Sequence, residues 1–263
     1  MTATTSLERR CELLRSLHRP GAPLVLPNAW DVATAKAVVA AGFPVVATTS
    51  GGVAATLGYD DHEGAPASEM LAAAARISTS VDVPVTIDAE AGYGMEPADL
   101  VAALQRAGAA GCNLEDSDHA AGGLRDPAGQ ADWLRAVREA ASAASYDLVI
   151  NARIDTFLAT FAARSKEGSQ AELVPDALRR AHAYLEAGAD CVFPILLWEA
   201  DALAIFTSRV PGPVNVLALP RAPSLTELAR LGAARVSYGT LLHRGAMEQF
   251  SRVLDSLTAT PAG

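Results

Sequence analysis

Polar residues able to do chemistry stand directly behind short aliphatic runs. Asp88 and Glu90 follow one such run, Glu115 and Asp116 another, and Asn151, Arg153 and Asp155 a third. Several carboxylates gathered at one rim repel each other unless a cation lies among them. Magnesium is the economical partner, with manganese as the alternative, because a hard ion takes oxygen ligands and needs only one or two direct carboxylates beside its waters. Asp88, Glu90 and Glu115 are therefore candidate metal carboxylates, although the same acids would equally cap helices or pair with arginines. Arg153 offers a planar fork suited to clamping a substrate carboxylate. Ser50, Gly51 and Gly52 would bring a hydroxyl and close backbone N–H groups to an oxyanion, and a plain turn explains the glycine pair as well. Trp30, behind the first aliphatic run, and Asn215, inside the seventh, are further candidates for substrate binding.

These groups need a scaffold that brings the ends of several strands together. Apolar runs near 24–26, 45–47, 85–87, 112–114, 148–150, 191–193, 214–217 and 235–237 alternate with Ala/Leu-rich helical patterns, which is the signature of βα units. A helix ending in Gly precedes a strand at Gly42, Gly108, Gly188 and Gly232, a loose internal repeat. Eight βα units in 263 residues, with no break in composition, predict a single-domain α/β protein: a closed (β/α)8 TIM barrel over 21–263, behind an extra N-terminal helix within 1–20. That helix reads from a Thr5/Glu8 capping pair, with Leu7, Cys11 and Leu14 on one face. No G-x-G-x-x-G follows the first strand, which argues against an open dinucleotide-binding sheet.

Composition excludes other classes of function. Half the chain is hydrophobic and 19% is charged, with a net charge of −9, which suits a large core and disfavours nucleic acid or an anionic membrane as partner. The uncharged stretch 37–59 is broken by Gly42, Pro44 and Gly51-Gly52, so it reads as helix, strand and loop and not as a membrane span. Glu8, Arg9 and Arg10 occupy the place where a signal peptide needs apolar residues, so a cytoplasmic location is expected. Cys11, Cys112 and Cys191 are far apart and read as buried small hydrophobes. Lys36 and Lys166 are the only lysines; one sits in a helical pattern and the other in a charged loop, so neither reads as a Schiff-base amine.

The motifs PNAWD at 27–31, TTSGG at 48–52, LGYDD at 57–61, DAEAGYG at 88–94, NLED at 113–116 and NARID at 151–155 come in an order that resembles the isocitrate lyase/phosphoenolpyruvate mutase superfamily, over the whole barrel. The resemblance implies a Mg2+-dependent enzyme acting on a small 2-oxo or hydroxy di- or tricarboxylate through an enolate. By the same token Ser50, Gly51 and Gly52 match the segment that holds the pyruvyl end. Asp88, Glu90 and Glu115 match the carboxylates around the metal, Arg153 the substrate arginine, and Asp61 the acid of the G-x-x-D loop. Homodimers or homotetramers assembled through the last helices are implied as well.

Two departures narrow the reaction. The lyase branch carries K-[KR]-C-G-H after its E-D pair, where this chain reads EDSDHAAGGLRD, without cysteine or lysine. The lysine and asparagine expected of a mutase-type gating loop are missing too. A C–C bond lyase or decarboxylase is the leading expectation; a P–C bond enzyme of the phosphonopyruvate hydrolase or mutase kind and a non-catalytic metabolite-binding barrel are the rivals. In that loop His119 titrates near neutrality and stands as candidate proton donor, and Gly122-Gly123 as hinges of a lid.

Overall fold

The computed structural model describes residues 6–158 and 169–258; Lys166 lies outside them. Among the described residues nine parallel strand segments form the barrel wall: β1 Leu24–Leu26, β2 Asn28–Ala29, β3 Val46–Thr48, β4 Val85–Asp88, β5 Gly111–Glu115, β6 Val149–Ile154, β7 Cys191–Pro194, β8 Asn215–Leu217 and β9 Arg235–Ser237. β1 and β2 are the two halves of the first barrel strand, separated at Pro27, which has no N–H to give to a ladder. One hydrogen-bonded sheet therefore runs β2-β3-β4-β5-β6-β7 and the other β1-β9-β8. A bridge between Val192 and Val214 joins β7 to β8, and the ring of eight strands is closed. The protein is a (β/α)8 barrel.

Strand patterning fixes what faces inward. Each strand is covered outside by helices, so its outward residues are aliphatic, whereas the inward ones alternate with them at period two. Thr86 and Asp88 alternate with Val85 and Ile87, Asn113 and Glu115 with Cys112 and Leu114, and Asn151 and Arg153 with Ile150 and Ala152. Hydrogen bonds across the interior confirm the direction: Asn151 Nδ2 and Arg235 Nη2 donate to Asn113 Oδ1 at 2.8 and 3.1 Å, and Asn215 Nδ2 donates to Ser237 Oγ at 3.1 Å. The four repeated glycines take φ between +73° and +102°, the left-handed conformation that ends each helix and turns the chain into the next strand.

The first helix, Leu7–Ser16, is capped by Ser6, whose hydroxyl accepts from Arg9 N–H; Thr5 lies outside the described residues. Cys11 and Leu14 are fully buried under the barrel, as their spacing predicts. Leu14 fills the place a side chain would take at Gly111, where an added Cβ would come within 2.7 Å of Leu14 Cδ2. Cys112 and Cys191 are buried as well. Among the described residues no helix is long and apolar enough to cross a membrane.

Candidate active site

The C-terminal ends of the strands surround a cavity of about 350 Å3, the face on which this architecture presents its chemistry. Asp88 and Glu115 are the last residues of β4 and β5, at inward positions of the alternating pattern. Register sets Asp88 beside Asn113 and Glu115 beside Arg153. Arg153 lies within β6 and not behind it, because that strand continues to Ile154, and its place in the ladder holds the guanidinium toward the cavity.

Each carboxylate has a distinct set of partners. Asp88 Oδ2 accepts from Ser50 N–H at 3.1 Å, and its Oδ1 is buried with no hydrogen-bond partner. Glu90 is 2% exposed in a left-handed backbone conformation, φ +48°, and accepts from Glu63 N–H. Burial pushes its carboxyl up to about 7, against that hydrogen bond and with the help of the Asp88, Asp61 and Glu115 charges. Glu115 is buried between His119, whose Nε2 lies 2.6 Å from Oε1, and Arg153, which pairs with Oε2. Burial raises the Glu115 carboxyl while Arg153 and His119 pull it back. His119 is in turn raised, first by its hydrogen bond to Glu115.

Two acids of the expected ligand triad already have protein partners. Among the described residues no three acid, histidine or cysteine side chains converge as a ready ligand set, since Glu90 is turned to Glu63 and Glu115 to Arg153 and His119. Asp88 is the acid with an uncommitted buried oxygen. That donor set still fits Mg2+, which takes one or two carboxylates and keeps water around the rest of its shell.

Arg153 is more committed than a substrate clamp alone would be. Its Nε and Nη2 fork onto Asp155 at 2.6 and 2.9 Å, and Nη1 reaches Glu115. Burial disfavours its charge, yet Asp155 and Glu115 raise its pKa. Two of a guanidinium's five N–H groups remain for a ligand. Asp116 faces away from the cavity, held by Arg180 at 2.9 Å, Tyr184 at 2.7 Å and Asp155 N–H at 2.8 Å, so of the Glu115-Asp116 pair one residue serves the cavity and the other the frame.

Ser50, Gly51 and Gly52 form the first turn of the helix Ser50–Leu57 and not a loop. Gly51 and Gly52 N–H have no protein acceptor among the described residues, so this end of the helix offers donors to an anion, although of the three residues only Ser50 lines the cavity. Asp61 rests over that turn: a Cβ at Gly51 would stand 2.6 Å from Asp61 Oδ2. Trp30 does not line the cavity; it packs edge-on to His243 at 5.0 Å behind the same helix. Asn215 is fully buried in the barrel interior on Ser237, outside the cavity lining. His119 is also set back, holding Glu115, while His62 forms cavity wall with its ring 5.5 Å from that of His119. Gly122 and Gly123 make the tight turn of a small hairpin in which Ser117 bridges Leu124.

Asn28, one of the polar residues behind the first aliphatic run, lines the cavity. Two further lining residues were not singled out. Asn113 lies inside a strand, where the alternation of polar with aliphatic residues was the available signal. Arg244, at the mouth, has no acidic partner within ion-pair distance among the described residues, and its place in a helical pattern concealed it.

The phosphoenolpyruvate phosphomutase family model matches residues 14–258, and the chain belongs to that family, within the isocitrate lyase/phosphoenolpyruvate mutase superfamily. An uncharacterized protein of Mycobacterium tuberculosis is 38% identical over 228 residues, 86% of this chain and 81% of that protein. The 2-methylisocitrate lyase of Aeropyrum pernix is 30% identical over 228 residues, 84% of this chain and 70% of its own. A crystal structure from Burkholderia cenocepacia, of a protein provisionally named a phosphonomutase, superposes with a TM-score of 0.87 at 40% identity, covering 94% of this chain and 99% of the other.

Proposed function

We propose that this protein is a Mg2+-dependent carbon–carbon bond lyase or decarboxylase acting on a small 2-oxo or 2-hydroxy carboxylate through an enolate. The observation that carries the reading is the meeting, in one cavity, of Asp88 with its unpartnered oxygen, Glu90, Glu115 and the donor end of the helix Ser50–Leu57. Asp88 would hold the ion, with Glu90 and Glu115 completing its oxygen surroundings; Mg2+, when bound, supplies Lewis-acid stabilisation of negative charge developing on an enolate oxygen. Gly51 and Gly52 N–H orient the anionic end of the substrate, and the two remaining Arg153 N–H groups add a positive edge. His119 keeps a proton at Glu115 Oε1, one bond back from the cavity, and His62 and Asp61 stand at the wall as groups able to move a proton to or from carbon.

The relatives with lyase names support carbon–carbon chemistry, and the absence of cysteine and lysine from 117–126 separates this chain from the usual lyase loop. Titration calorimetry with Mg2+ and oxalate, a mimic of the enolate, tests the reading. Each ligand is expected to tighten the other, and Asp88→Ala to abolish that coupling with the fold intact. Oxalate binding indifferent to Mg2+ would favour a metabolite-binding barrel, and release of phosphate from a phosphonopyruvate would favour the P–C bond reading.

A further inference from the structure

The cavity is chemically two-sided. Its acids come from β4, β5 and the loop at 61–63, whereas β7, β8 and the end of β6 contribute Phe193, Ile195, Leu196, Leu217, Leu219 and Leu158. In a ring of eight strands, β4 lies across from β8, so the hydrocarbon wall faces the carboxylates. A substrate with three carboxylates would have to lay at least one of them against this wall, where an unpaired charge is costly. Arg244 at the mouth is the cation available to a second carboxylate, Arg153 being engaged with Asp155 and Glu115.

The wall is also built and held. Leu196 is buried with φ +64°, a left-handed conformation that a leucine adopts only under constraint. The constraint is Gln170, itself buried: its Nε2 donates to Leu196 O at 2.7 Å, and its Oε1 accepts from Trp198 and Glu199 N–H, each at 2.9 Å. Glu199 returns the contact by accepting from Gln170 N–H and the Ser169 hydroxyl, each at 2.9 Å. On the other side the Arg221 guanidinium stacks over Trp198 at 4.8 Å. A loop with no need to present Ile195 and Leu196 to the cavity would relax to an ordinary backbone.

Resting on the reading of the site above, we infer that its substrate is an alkyl-substituted 2-oxo or 2-hydroxy acid with at most one further carboxylate, whose hydrocarbon part lies on the wall made by Leu196, Leu217 and Leu219. The test is calorimetry on the full-length protein with Mg2+, using oxalate, then pyruvate, 2-oxobutanoate, 2-oxopentanoate and 4-methyl-2-oxopentanoate, with isocitrate as the tricarboxylate. Affinity is expected to rise about fourfold per methylene until the wall is covered, as follows from burying ~0.8 kcal/mol per CH2, and isocitrate to bind more weakly than the alkyl acids. Leu219→Ala, at a partly exposed position that spares the core, should lose several-fold affinity for 4-methyl-2-oxopentanoate and leave oxalate binding unchanged. Mg2+-dependent oxalate binding with a flat alkyl series, or with isocitrate the tightest ligand, would overturn the inference and keep the reading of the site. A clear alkyl series indifferent to Mg2+ would do the reverse.

Discussion

Arg153→Lys separates the two tasks the structure gives this residue. The guanidinium makes three charge-assisted contacts, two to Asp155 and one to Glu115, all at buried groups. An ammonium is a point donor that cannot span both Asp155 oxygens and reach Glu115 as well. Hydrogen bonds to charged groups contribute about 1.5–3 kcal/mol each, and leaving a buried carboxylate short of its partner costs about 3–5 kcal/mol. Since lysine retains the charge and one contact, a loss of about 3 kcal/mol is expected. With a urea slope of about 3 kcal/mol/M, the unfolding midpoint should fall by about 1 M. Mg2+-dependent oxalate affinity, measured on the folded variant below its transition, should fall as well, because the remaining N–H groups are displaced. An unchanged midpoint would refute the structural role drawn from the Asp155 fork. An unchanged oxalate affinity would remove Arg153 from ligand binding and leave it as part of the frame.

Two further outcomes are expected. His18 is buried under the barrel with Nδ1 2.8 Å from Leu14 O, and burial, aided by Arg235, lowers its pKa to about 4 from 6.5. Because the folded value is the lower one, the unfolded chain takes up the proton first: stability is whole above pH 6.5 and declines as pH falls, by about 3 kcal/mol on reaching pH 4 at ~1.4 kcal/mol per unit. His18→Leu should flatten this part of the curve in urea unfolding at pH 7, 5.5 and 4.5, and an identical slope in parent and variant would exclude the assignment. The helix Leu241–Thr258 has no buried residue in the single chain and exposes Met247, Phe250, Leu254 and Leu257, so Phe250→Glu should turn the expected homodimer or homotetramer into smaller species by light scattering. A monomeric parent, or a variant of unchanged mass, would exclude assembly through this helix.

The fold was legible because its signals are repeated. Period-two patterning, helix-terminal glycines and aliphatic runs each recur around the barrel, so an error of a residue or two at one strand leaves the ring intact. Site residues at strand ends, Asp88 and Glu115, could be read for the same reason. What escaped depended on direction and on distant partners. Nothing local tells that Asp116 turns outward to Arg180 and Tyr184 while Glu115 turns inward, since the choice is made by a helix sixty residues on. Trp30 stands behind the right strand end but packs behind a helix, and Asn215 opens β8 at the end away from the cavity, inside the barrel. The strand at 149–154 was read too short because Asn151 and Arg153 look like loop residues until a barrel supplies them with a polar interior.

The break at Pro27 and the isolated bridge at Val192 and Val214 give the barrel two seams. From β2 to β7 the ladder is continuous and fixes the spacing of Asp88, Glu115 and Arg153, whereas the hydrocarbon wall straddles the thinly stitched joint between β7 and β8. Compliance and chemistry thus fall on different parts of the circumference. On the alkyl-acid reading inferred above, a bulkier side group is expected to spread this joint and not to displace the acids. Amide exchange would register this as faster opening at Val192, whose N–H crosses the joint to Pro213 O, than at Leu114; equal protection at the two would mean the wall is as stiff as the acid side.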